Sequence, residues 1–169
     1  MADFGPIMAA TIEREGGYKL TNDPDDSGGM TYAGISRTRN PGWPGWAFID
    51  AKRHVPNEIV DSFYKSVYWD EIRGDRIHDQ AVAESLYDFG VNAGPAVSRT
   101  LAQRALGVNP DGVFGPVTIE ALNTTDAKAF LERFALQKIG RYLDIVDRRP
   151  KDLKYFHGWI ARTMQEVAL

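Results

Sequence analysis

Apolar residues recur along most of this chain at helical spacing. In residues 6–16, Met8, Thr11, Ile12 and Glu15 fall at i, i+3, i+4 and i+7 on one face, while Glu13 and Arg14 point away from it. Gly16-Gly17 then stops the helix, because glycine tolerates the left-handed turn that follows a C-cap. Residues 57–69 keep the same period through Ile59, Val60, Phe63, Tyr64 and Val67. Residues 79–93 do so through Val82, Leu86 and Phe89. Gly94-Pro95 closes that helix and opens another, which carries Val97 and Leu101 and ends near Gly107. The run NPDGVFGPVT predicts a tight turn into a short helix with Ile119 and Leu122. Two longer helices follow over about 126–146 and 153–167, separated where Pro150 breaks the pattern.

The period fails only after the first helix. Residues 21–29 have turn composition, Thr31 to Ser36 predicts a short strand or hairpin arm, and RNPGWPGW at 39–46 predicts a rigid aromatic loop. The expected fold is therefore mostly α, a helical bundle with a small irregular β region after the first helix.

Composition narrows the function classes. The 169 residues suit one domain, or one domain with a small appendage. A net charge of −3, with no basic block longer than Arg148-Arg149, argues against a nucleic-acid footprint. Cysteine is absent, which removes disulfides and thiolate metal sites. His54, His78 and His157 are scattered without metal-ligand spacing. The start, MADFGPIMAA, carries neither a signal peptide nor a membrane span, so synthesis in a cytoplasm is expected without stable membrane insertion.

Glu15 carries the candidate chemistry. It lies on the apolar face of its helix, where burial would disfavour the charged carboxylate, as a general acid at neutral pH requires. An ordinary helix-end glutamate would instead face water or pair with Arg14 or Lys19. The double glycine beside it would let a ligand approach closely. Asp23, Asp25 and Asp26 in the following loop supply a second carboxylate, although each alone reads as a turn residue. Thr31 alone reads as a β-branched strand residue. Grouped with Glu15, these residues match the two-sided chemistry of glycosidic cleavage, in which one carboxyl protonates the leaving oxygen and a second group manages water.

The ordered motifs carry a family resemblance. Glu15-Gly16-Gly17-Tyr18, Asn22-Asp23-Pro24, Asp26, Gly28-Gly29, Thr31 and Gly34-Ile35 together resemble the N-terminal signature of glycoside hydrolase family 108, the N-acetylmuramidases of phage lysis and bacterial secretion systems. YWDEIRGD and DFGVNAG also look like that family, and LGVNPDGVFGPVTIEALN and FHGWIART resemble the peptidoglycan-binding segment found behind it. The resemblance implies an α+β lysozyme-like fold, with a catalytic region at 1–94 and a helical peptidoglycan-binding segment at 95–169 packed on it as one compact unit. It implies Glu15 as the catalytic acid, with Asp26 (or Asp23) and Thr31 handling water, and Tyr18, Asp23 and Asn92 binding substrate. No cofactor or metal is implied. The implied partner is the peptidoglycan glycan strand, met by a monomer in the periplasm or wall after export through a holin or a secretion system. Ser27, where many relatives have proline, and the stretch RTRNPGWPGWAFIDAKRHVP depart from the family pattern.

Other residues are weighed beside these. Glu84, Ser85, Asp88 and Asn92 form a polar stripe whose default reading is a solvated face. Asn92 is the best substrate contact among them, because an amide can both donate to and accept from an acetamido sugar. Trp43 and Trp46 in the Pro/Gly loop are candidates for stacking on sugars, whereas Trp69 and Trp159 are expected in the core. Two rival activities remain: a lytic transglycosylase using the same acid, and a non-catalytic wall-binding module.

Overall fold

The computed structural model describes residues 1–22 and 29–167, which form two compact units. One comprises Asp3–Asp70, and the other comprises Met1–Ala2 with Glu71–Leu169. The boundary by packing thus falls at 70/71, while the sequence reading places its division at 94/95.

The Asp3–Asp70 unit opens with helix α1 (Phe4–Arg14), whose N-cap Asp3 accepts a hydrogen bond from the Gly5 amide. Ile7, Met8, Thr11 and Ile12 are its buried face. A three-stranded antiparallel sheet follows in the order β1 (Leu20–Asn22), β2 (Met30–Tyr32), β3 (Ile35–Ser36). Thr21 pairs with Thr31, and Tyr32 with Ile35. β1 lies where the sequence pattern predicts only turn. All three of its residues are exposed, so it has no hydrophobic alternation, and it exists through its pairing with β2.

The aromatic loop leads into a short helix α2 (Gly45–Asp50). Trp43 and Trp46 are only 6% and 3% exposed, so they are core residues and not a sugar-stacking surface. Their rings meet edge to face at 5.0 Å, and their indole N–H groups donate to the carbonyls of Ile59 and Asn40. Helix α3 (Asn57–Tyr64) then widens into a π-helical turn over Lys65–Trp69, where the Asp70 amide donates to the Lys65 carbonyl.

The second unit holds helices α4 (Gln80–Ala93), α5 (Pro95–Leu106), α6 (Pro116–Thr124), α7 (Ala127–Arg148) and α8 (Leu153–Val167). Their limits follow the sequence signals. Asp79 and Asp126 cap helix starts by accepting from Val82 and Ala129 amides, and Gly107 ends α5 in the left-handed region. The core is aromatic at its centre, with Phe130 stacked on Phe134 at 5.5 Å and Phe89 edge-on to Phe134 at 5.6 Å.

Ser85 departs from the expected solvated stripe. It is buried, and Lys138 of α7, only 1% exposed, donates to its hydroxyl at 2.9 Å. The Ser85 hydroxyl donates in turn to Glu166 of α8 at 2.5 Å, and Lys138 ion-pairs with the same carboxylate. The Lys138 ammonium also lies 4.4 Å from the centre of the Phe134 ring. One buried cation therefore joins α4, α7 and α8.

The Asp111-Gly112 turn is structural, organised by the buried Gln103. That amide donates to Asp111 at 2.8 Å and to the Val113 carbonyl at 3.0 Å, and accepts from the Gly112 amide at 2.7 Å. Hydrogen bonds from the Val113 amide and from Gln103 hold the Asp111 carboxyl below the usual aspartate range. Gln103→Leu strands these partners, and a loss of about 2–3 kcal/mol is expected in urea unfolding. A loss below about 0.5 kcal/mol would mean that the turn holds itself.

Candidate functional site

Glu15 is the C-cap of α1, and its amide donates to the Thr11 carbonyl at 2.9 Å. Gly16 and Gly17 follow at φ +85° and +84°, and the Gly17 amide donates back to Ile12 at 2.8 Å. The sequence places Glu15 on the buried face. The structure corrects this: the residue is exposed, because the helix ends there and the chain turns away.

The neighbours of Glu15 come from the hairpin and from α3. Ala33 and Gly34 join β2 to β3, both with positive φ (+46° and +78°), the signature of a type I′ hairpin turn. A Cβ placed on Gly34 would lie 2.7 Å from a Glu15 carboxylate oxygen and 2.5 Å from the Tyr64 hydroxyl. The carboxyl and the phenol therefore converge over one glycine. Tyr64, buried in the last turn of α3, donates to the Ala33 carbonyl at 2.9 Å and so fixes the turn. Tyr68, on the π turn, lies 5.7 Å from Tyr64 ring to ring. Burial raises the Tyr68 phenol above its ordinary value, and the Glu15 charge raises it further, while Arg39 opposes them.

Gly34 is accordingly the most constrained position of the site. Gly34→Ala should displace the carboxyl or the phenol and lower turnover of purified peptidoglycan by roughly tenfold to a hundredfold. The cost in stability should be only about 1–2 kcal/mol by thermal melting. Unchanged turnover would show that the Glu15–Tyr64 convergence is unimportant.

The remaining predicted residues divide. Thr31 sits on the central strand, and its hydroxyl donates to the Gly29 carbonyl at 3.2 Å. Tyr18 donates to Asp61 at 3.2 Å, and burial followed by the Asp61 charge raises its phenol. Its hydroxyl proton is thus already engaged. Asp23, Asp25 and Asp26 lie outside the described residues. Asn92 belongs to the second unit, where its amide donates to the Asp88 carbonyl at 2.7 Å and accepts from Arg162 at 2.6 Å. Tyr64 and Tyr68 are neighbours that sequence reasoning did not assign to the site, while Gly34 entered it only as part of the family signature. The i, i+4 spacing of the two tyrosines was the available signal, masked for Tyr64 by its fit to a core pattern.

The family model described as Glycosyl hydrolase 108 matches residues 8–94, and one described as Predicted Peptidoglycan domain matches residues 97–164. Among solved structures, SagA of Brucella abortus is similar in fold, with a TM-score of 0.76 at 23% identity over 98% of this chain and 91% of that one. No curated protein matches the chain. With the first model spanning more than half its length, the chain belongs to the glycosyl hydrolase 108 family and, with a peptidoglycan domain behind that segment, is a peptidoglycan hydrolase.

Proposed function

We propose that the protein is an N-acetylmuramidase, cleaving between N-acetylmuramic acid and N-acetylglucosamine with Glu15 as proton donor. The observation that carries this reading is the placement of Glu15: an accessible carboxyl at a helix end, set against the hairpin turn at Gly34 and beside Tyr64. A glycan laid over that turn displaces water from the carboxyl, so the substrate supplies the desolvation that the free protein lacks. Glu15 gives its proton to the glycosidic oxygen as the bond from C1 breaks, and water adds to C1 and releases its own proton. Asp26, or else Asp23, takes that proton, with Thr31 orienting the water. The Thr31 hydroxyl spends its hydrogen on Gly29 and keeps its lone pairs for a water hydrogen.

The chemistry needs no cofactor, and the protein acts as a monomer. Its place of action is the periplasm or cell wall, reached through a holin or a secretion system. No helix among the described residues is long and apolar enough to cross a membrane.

Mass spectrometry of the products from defined peptidoglycan tests the reading. Reducing N-acetylmuramic acid ends are expected. Anhydro-muramyl ends would identify a transglycosylase, which needs neither the loop aspartates nor Thr31. Reducing N-acetylglucosamine ends would move the cut to the other bond and overturn the proposal.

A further inference from the structure

In the second unit, the end of α4, the second half of α7 and the first half of α8 enclose a groove of about 600 Å³. Its charge runs against that of the whole protein. The chain carries a net −3, yet Arg141, Arg149, Lys154 and Arg162 all line this groove, and no acidic side chain does among the described residues. Only Arg149 has an ion-pair partner in the described structure, Asp152 at 3.0 Å. Arg162 is held by the neutral amide of Asn92, which orients the guanidinium without neutralising it and leaves further N–H donors free. Three aromatic rings lie along the same groove. Tyr142 stacks on Trp159 at 5.1 Å and 26°, and Tyr155 follows at 6.1 Å and 30°. Trp159 is half-buried and Tyr155 is 51% exposed, so ring surface remains open, and the expected core role of Trp159 is only partly met.

Aligned rings suit the flat face of a sugar, and unneutralised guanidinium forks suit carboxylates. We propose that this groove binds a muropeptide, with a sugar ring against the Trp159 stack and a carboxylate of the lactyl or peptide arm on Arg141 and Arg162. The inference rests on the reading of peptidoglycan as substrate. It adds a site in the second unit that holds the wall through its acidic arm. A nucleic acid would also offer rings and anions, but the net negative charge of the chain opposes a long polyphosphate.

The test is equilibrium binding of the soluble disaccharide-tetrapeptide to the full chain. Its single glycosidic bond is not the one cut under the proposed function, so it persists as a probe. The double variant Arg141→Ala/Arg162→Ala should bind it about tenfold or more weakly, while Arg162→Lys recovers only part of the loss. The peptide-free disaccharide, which keeps the lactyl carboxylate, and neutral chitobiose form the other arms. Weakening by the double variant of the tetrapeptide alone assigns the peptide carboxylates, and weakening of the peptide-free disaccharide as well shows that its free lactyl carboxylate, which is an amide in the tetrapeptide, is held by the same arginines. Equal affinity of wild type and double variant for the tetrapeptide would overturn the proposal, as would tighter binding of chitobiose, glycerol-phosphate oligomers or a short DNA. Thermal melting establishes that each variant is folded. Failure of the hydrolase reading would appear separately, as absent turnover of peptide-free glycan by the wild type.

Discussion

Glu15→Gln should lower the release of soluble fragments from purified peptidoglycan by about 10²–10⁴-fold and leave the fold intact. Glutamine keeps the shape of the side chain and its ability to hydrogen-bond, but it has no acidic proton to give the leaving oxygen. The residue is exposed at the end of α1, where a substitution of this kind ordinarily changes stability by less than about 0.5 kcal/mol. A melting curve that overlays the wild type, beside lost turnover, is therefore the expected pair of results. Retained turnover in the folded variant would remove Glu15 from the mechanism. Gly34→Ala perturbs the same carboxyl without touching its chemistry, so its smaller loss measures positioning alone.

The largest expected loss of stability comes from Glu166→Leu. It would leave Lys138, 2% exposed at its side chain, without its carboxylate, at a cost of about 3–5 kcal/mol in denaturant unfolding. The reverse change, Lys138→Met, should cost less. The Glu166 side chain is 24% exposed and can recover water, and methionine fits the space between Phe89 and Phe134. The double variant should regain most of the single loss, since buried ion pairs are often replaceable by apolar groups. Additive losses would mean that the two residues act independently. Desolvation holds the Lys138 ammonium below the ordinary lysine value of 10.5, although Glu166 opposes the shift. Between the lowered folded value and 10.5 the unfolded chain binds more protons, so stability from this group rises with pH through that window and is constant below it. The difference in unfolding free energy between wild type and Lys138→Met should accordingly shift in favour of the wild type from pH 7 to pH 10.

The helices were legible in the sequence because periodicity and caps agree there. Asp79, Gly94-Pro95, Gly107 and Asp126 each mark an end that the structure keeps. What escaped depends on distant partners. β1 is visible only through β2, and Ser85 reads as a solvated residue until Lys138 and Glu166 arrive from 53 and 81 residues away. The family was legible in the ordered motif that Glu15 opens, but the exposure of Glu15 was not. Periodicity assigns a face, yet it does not say whether anything covers the last residue of a helix. Trp43 and Trp46 were misjudged for a related reason, since a Pro/Gly loop looks open until its indoles find the Ile59 and Asn40 carbonyls.

The π turn at Lys65–Trp69 has a consequence for how relatives of this chain should be aligned. Such a turn amounts to an insertion hidden inside a helix, one residue absorbed without a loop. Removing it would restore ordinary helical phase and swing every later side chain by about 100°. Tyr68 would then leave the electrostatic neighbourhood of Glu15. A one-residue gap in this segment of an alignment is thus a change in the surroundings of Glu15, although it would pass for a trivial difference in helix length.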